Sequence, residues 1–286
     1  MISTIRTDKK LFKTTPLSTL HIPHYRKDFT MLLAIDIGNT NIVLGVVKEN
    51  GEVASMSRLR TDHTQTSDEY AIKIKALLDL KGIQAHDIKD CIISSVVPPV
   101  TGHVKRAINL FIGKKPMVIG PGIKTGLNIL IDNPAQLGSD LVVDAVAVTE
   151  QYELPAVVID MGTATTLSVV DKGGKYLGGM IMPGPNSSLQ ALASHAAQLP
   201  SISIEEPASL IGKNTVDCMR SGVAIGHAAA IDGMINRVEK ELGKTVTVVA
   251  TGGLSSIILP YCDREIIYDD NLLLKGLYYI YRKNKK

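Results

Sequence analysis

From residue 31 onward, short and densely apolar runs alternate with amphipathic segments of helical period, and the order occurs twice. The stretches 31–47 and 52–60 read as strands folded around the Asn50-Gly51 turn. Ser67 can cap a helix in which Ala71, Ile74, Leu77 and Leu78 recur at helical spacing, and Gly82 stops it. Cys91 to Val97 reads as a short buried strand that ends at Pro98-Pro99. A helix to about Leu110, a strand at 117–119 and a Gly120-Pro121-Gly122 loop follow. The second half restarts with a helix from about Leu137 to Tyr152, then strands over 156–170 and 175–182. Pro183-Gly184-Pro185 breaks the chain before a helix reaching Ala197. A long helix over roughly 214–242, a buried strand from Thr245 to Ala250, a strand near 266–268 and a helix from Leu272 complete the pattern.

The two halves share a signature. Ile35-Asp36-Ile37-Gly38-Asn39-Thr40 and Ile159-Asp160-Met161-Gly162-Thr163-Ala164 each close one apolar run and open another. An Asp-x-Gly at a hairpin tip, present twice, is a device for holding phosphates between two related domains. The Asp can hold a metal or its waters. The Gly allows close approach of backbone amides, and the threonine hydroxyls add donors. The fold expected is α/β, with two related halves and a cleft between them. The domains expected are 31–150 and 151–286.

Composition narrows the picture. Trp is absent and Phe scarce, so the cores are aliphatic, as in strands buried on both faces. A formal net charge of +3, without basic runs interleaved with aromatics, argues against nucleic acid. No apolar run reaches the ~18 residues that span a bilayer, so no membrane partner is expected. Cys91, Cys218 and Cys262 are few, odd in number and far apart, which reads as reduced thiols of a cytoplasmic protein. Residues 1–30 carry Arg6, Lys9, Lys10, Lys13, Arg26 and Lys27 against Asp8 and Asp28, without the apolar core of a signal peptide. They read as a disordered extension or an early-assigned start, because Met31 directly precedes the first core strand.

No P-loop, protein-kinase set, Rossmann glycine fingerprint or Gly-x-Ser-x-Gly elbow is present. The duplicated Asp-x-Gly and the late Thr251-Gly252-Gly253 resemble the sugar kinase, actin and Hsp70 superfamily, which implies an α/β fold of two RNase H-like halves of the actin, Hsp70 and sugar-kinase type. Closer still, the chain resembles type III pantothenate kinases, the Bvg accessory factor family. Matching stretches run in order from Asp36 to Asn41, Ser94 to Pro99, Gly138 to Asp140, Asp160 to Thr166, Gly178 to Gly184, Ile211 to Thr215, Ser221-Gly222, Ile231 to Gly233 and Ala250 to Leu254.

That resemblance implies ATP-dependent phosphorylation of pantothenate, the first step towards coenzyme A, with Mg²⁺ and a monovalent cation, K⁺ or NH₄⁺. Asp36 would serve Mg²⁺, and Gly38, Asn39, Thr40 and Asn41 would cradle the phosphates. Asp160 would bind the monovalent cation, Thr163 would contact ATP, and Gly252 and Gly253 would lie by the nucleoside. Asp140 matches the general base, although it also stands where a helix N-cap could. Gly138, Thr215 and the positions of Ile131 and Leu141 belong to the acceptor site. A homodimer is implied, with the acceptor pocket near its interface.

Departures gather on the acceptor side. The family Arg after Gly-x-Asp is Leu141, the Tyr seven residues before that Gly is Ile131, and the Asn four after the Asp is Asp144. Leu167-Ser168 replaces Phe-Asp. Losing a charged contact to a carboxylate costs roughly 2–5 kcal/mol, and losing a hydroxyl contact about 0.5–1.5 kcal/mol. A related kinase for another hydroxylated acceptor, or a nucleotide-binding regulatory protein with little activity, are the alternatives. Asp144 shares a helix face with Asp140. It is expected to point to solvent or to an Arg of a partner chain, with a divalent cation between the two carboxylates as the other option.

Overall fold

The computed structural model describes residues 31–285, so the expectation for residues 1–30 lies outside the described residues. The first half runs β1 (Met31–Ile37), β2 (Asn41–Val47), β3 (Val53–Arg60), α1 (Ser67–Leu80), β4 (Ile88–Ser95), α2 (Pro98–Ile112), β5 (Met117–Val118), β6 (Asn128–Ile129) and α3 (Ser139–Gln151). The second runs β7 (Ala156–Met161), β8 (Ala164–Val170), β9 (Lys175–Pro183), α4 (Pro185–His195), α5 (Thr215–Leu242), β10 (Thr247–Thr251), α6 (Ser255–Ile258), β11 (Ile267–Tyr268) and α7 (Leu272–Asn284).

The sheets repeat one topology. The first has the order β3-β2-β1-β4-β5 and the second β11-β10-β7-β8-β9-β6. In the first, β1 pairs antiparallel with β2 and parallel with β4; in the second, β7 pairs antiparallel with β8 and parallel with β10. Strand β1 therefore corresponds to β7, and the two Asp-x-Gly motifs occupy the same place. Asp36 lies opposite Val43 and Ser94, and Asp160 opposite Thr166 and Thr251.

The aliphatic runs explain the central strands. Leu33, Ala34, Ile35 and Ile37 in β1, and Val157 and Ile159 in β7, are fully buried, each large side chain contributing about 1.5–3 kcal/mol. Helices α1 and α2 cover one face of the first sheet through Tyr70, Ile74, Val104 and Ile108, while Ala224, Ala228, Ile231 and Ile235 of α5 cover the second. Between the sheets lie α3 and α7, packed on each other. Their approach depends on Gly276, where a Cβ would run into the backbone carbonyl of Val143.

Three details differ from the sequence reading. Thr66, not Ser67, caps α1: its hydroxyl accepts from the Glu69 N–H, and the Glu69 carboxylate accepts from the Thr66 N–H at 2.7 Å. The two-residue strand β6 carries too little pattern to be read, yet it extends the second sheet beside β9. Helix α7, last in sequence, packs on β1, β2 and β4 of the first sheet. No described helix is long and apolar enough to cross a membrane.

Candidate functional site

The two hairpin tips meet. Gly38 N–H donates to Asn41 O at 3.0 Å, and Gly162 N–H donates to Ala164 O at 3.0 Å. Each central glycine amide thus closes its own turn, which leaves residues beyond it to face a ligand. The hydroxyls of Thr40 and Thr163 lie 2.8 Å apart, joining the tips across the cleft. The first tip is braced by Thr61, whose hydroxyl donates to Gly38 O at 2.6 Å. The second is braced by Gly184 N–H and by the Ser187 hydroxyl, both donating to Thr163 O.

On one side of this junction is a cleft of about 500 Å³, lined by Asp36, Thr40, Asn41, Asp160, Thr163, Gly252 and Gly253, among others. Gly252 has φ +94°, and a Cβ there would lie 2.6 Å from Asp160 Oδ1 and 2.7 Å from Met161 N. Only glycine permits this turn. Arg58 is the one basic residue among the described residues that line the cleft. Its Nη2 lies 3.0 Å from Asp270 Oδ1, a bridge between β3 and the loop before α7. Sequence reading missed both, because neither carries a motif.

On the other side is a cavity of about 530 Å³ that takes Asn39, Ile131, Gly138, Asp140 and Leu141 into its wall. Asp140 occupies the first turn of α3, where Gly138, not Asp140, is the cap. Its Oδ1 accepts from the Leu141 N–H at 2.9 Å. The preceding Ser139 anchors this turn to the end of β4: its hydroxyl donates to Ser95 O and accepts from Ser95 N–H, both at 3.1 Å. Tyr176 and Ser168, both buried, line the same cavity with their hydroxyls 3.1 Å apart. Thr215 is exposed at the start of α5 and lines neither cavity of this chain.

The electrostatics join the two sides. Burial raises the Asp36 carboxyl to about 7; a Ser94 hydrogen bond opposes the rise, and the charges of Asp140 and Asp160 add to it. Burial, then the Asp140 charge, also pushes Asp160 up. Asp144 is 1 % exposed, and neither carboxylate oxygen has a hydrogen-bond partner. It does not face solvent as expected. Burial first, then the charges of Asp160, Asp140, Asp36 and Asp269, hold it well above the usual carboxylate range.

Such a site suits a polyanion accompanied by cations. A wall with Asp36 and Asp160 needs positive charge before phosphates can enter. Among the described residues no three acidic, His or Cys side chains are set around one ion. Ions would therefore be held by one or two protein oxygens, with ligand oxygens and water completing the shell, the habit of Mg²⁺ beside phosphates.

A model of the type III pantothenate kinase family matches residues 32–237. The type III pantothenate kinase of Bacillus cytotoxicus is 44% identical over 254 residues, covering 89% of this chain and 97% of that protein. A structure from Campylobacter jejuni described as a Baf family transcriptional activator has a TM-score of 0.53 at 22% identity, covering 88% of this chain and 98% of that one. The activator of 2-hydroxyisocaproyl-CoA dehydratase from Clostridium difficile, with bound ADPNP, has a TM-score of 0.51 at 14% identity, covering 90% and 98%. These two structures show the fold alone. The family match covers more than half of the chain and includes strands of both sheets, and the Bacillus relative aligns over nearly its whole length: the chain belongs to the type III pantothenate kinase family.

Proposed function

We propose that this chain transfers a phosphoryl group from ATP to the hydroxyl of pantothenate, giving phosphopantothenate at the start of coenzyme A synthesis. One observation carries the reading: Asp140 lines the acceptor cavity, while its charge acts on Asp36 and Asp160 in the neighbouring cleft. A base so placed stands between the hydroxyl and the phosphates. Phosphoryl transfer asks for positioning and charge neutralisation more than covalent chemistry.

In this reading Thr40, Asn41 and Thr163 hold the phosphates, with Gly38 and Asn39 shaping the first tip and Gly252 and Gly253 admitting the nucleoside. Asp36 holds Mg²⁺ or its waters, and Asp160 holds K⁺ or NH₄⁺; bound there, these ions offset the charge of the phosphates. Asp140 takes the proton of the acceptor hydroxyl, held in place by the anchoring of Ser139 on β4. Residues 31–150 and 151–286 act as the two halves of the clamp, exchanging β6 and α7.

A homodimer is part of the proposal. Thr215 lies away from the acceptor cavity of its own chain, next to a stretch in which Leu210 and Ile211 are exposed, and Ile181 is exposed at the cavity rim. An interface that covers these residues would bring Thr215 towards a pocket. Cys91, Cys218 and Cys262 are unpaired, which supports a cytoplasmic setting.

The test is ADP release, with mass detection of the product, by purified protein given ATP, Mg²⁺, K⁺ and pantothenate. Acceptor-dependent turnover with a phosphorylated product is expected. No turnover at millimolar pantothenate, with ATP binding intact, would overturn the reading.

A further inference from the structure

The acceptor cavity has an unusual charge balance. Among the described residues that line it there is no Lys, Arg or His, and its charged side chains are Asp132 and Asp140. Ile131 and Leu141 give it apolar wall where donors could stand. The uncharged polar side chains are Asn39, Asn133, Gln136, Thr166 and the Ser168–Tyr176 pair. Strand pairing puts Tyr176 opposite Ile129, and Leu130 N–H donates to Tyr176 O at 2.9 Å, so the phenol stands alongside the segment bearing Ile131.

An anionic acceptor entering this cavity would give up water without meeting a cation among the described lining residues of this chain, and it would face two carboxylates. Both effects disfavour its charged form. An uncharged amide or alcohol suffers neither, and the hydroxyls and side-chain amides present can donate to it and accept from it. We propose that the acceptor preferred by this pocket is a pantothenate derivative whose carboxylate is replaced by an amide or a primary alcohol, with Tyr176 and Ser168 as specificity-determining residues. The inference rests on the reading of the cavity as the acceptor site of an ATP-dependent kinase. Burial raises the Tyr176 phenol above its ordinary range, which keeps it protonated as a donor.

The experiment compares kcat/KM of the full chain for pantothenate, its alcohol analogue and its N-ethyl amide, at fixed ATP, Mg²⁺ and K⁺. The neutral acceptors should exceed pantothenate by about tenfold or more. Leu141→Arg should reverse the order, and Tyr176→Phe should lower kcat/KM for the amide more than for pantothenate. Pantothenate equal to or better than both neutral acceptors in the parent chain overturns the proposal. Phosphorylation of the neutral acceptors alone supports it while refuting pantothenate as the substrate. Should no acceptor be phosphorylated, the kinase reading fails, and calorimetric binding of the same three compounds decides. Tighter binding of the amide or alcohol supports the charge preference; tighter binding of the acid, or no binding, overturns it.

Discussion

The cleft proposed for the nucleotide and the cavity proposed for the acceptor lie side by side, yet they are built on different principles. The cleft is made twice, from β1–β2 and β7–β8, with its tips joined through Thr40 and Thr163. Much of it is turn geometry, and Gly252 is fixed there by sterics. The acceptor cavity is made once, from the segment around β6, the first turn of α3 and the faces of β8 and β9, and its chemistry depends on individual side chains. A duplicated, backbone-made site resists drift, because a changed side chain leaves the turn intact. A single-copy site can change its ligand by a few substitutions, which is what we propose for Ile131 and Leu141.

The comparison can be broken at several points. The largest effect is expected at Asp140, where the two sites meet. Asp140→Asn should lower kcat by about 10²–10⁴-fold while ATP binding, followed by calorimetry, stays near that of the parent. A parallel loss of ATP binding would show that the sites are not separable there. Next is Gly252→Val, which puts a branched side chain at positive φ and against Asp160. It should abolish measurable ATP binding and cost at least about 1–2 kcal/mol of stability, seen as a lower melting temperature; unchanged ATP affinity would refute the backbone-cradle account.

Arg58→Ala removes the one basic side chain among the described residues that line the cleft. If Arg58 turns from Asp270 to the nucleotide, ATP affinity should fall about tenfold or more, from the roughly 1.5–3 kcal/mol of a charge-assisted hydrogen bond, with the KM for the acceptor little changed. A matching change in the acceptor KM would place Arg58 in cleft closure instead.

The smallest effect concerns Asp144, between the sites. Its folded-state pKa is raised, so the native state binds its proton more tightly than the unfolded state does. Stability from this group is full below about pH 4 and is lost as pH rises towards the raised value. Asp144→Asn should therefore flatten the decline in melting temperature between about pH 5 and 8 and raise the melting temperature at pH 8. An unchanged slope would mean that a cation compensates Asp144 in the parent chain.

What the sequence revealed follows the same division. The strand order and both Asp-x-Gly tips were legible because burial on both faces leaves continuous aliphatic runs, and because the motif recurs. The grouping of Asp140 with Gly138 and Leu141 was legible through the resemblance to the family, which places all three in one short motif. Strand β6 was not: two residues carry no period, and their pairing with β9 is long-range. The burial of Asp144 was also hidden, since a polar residue in an amphipathic segment reads as solvent-facing until α7 and the second sheet close over α3. Nor could local pattern have found the Arg58–Asp270 bridge, whose partners are 212 residues apart. The Thr66 cap was missed for a smaller reason: two adjacent hydroxyl residues compete, and Glu69 decides between them.

Steady-state kinetics of Leu141→Arg against the parent, with ATP and pantothenate varied independently, test the separation of the two sites most directly. The account predicts a kcat/KM for pantothenate raised by about tenfold or more and a KM for ATP within about twofold of the parent. An unchanged kcat/KM for pantothenate, or a KM for ATP that shifts as much as that of the acceptor, would contradict it.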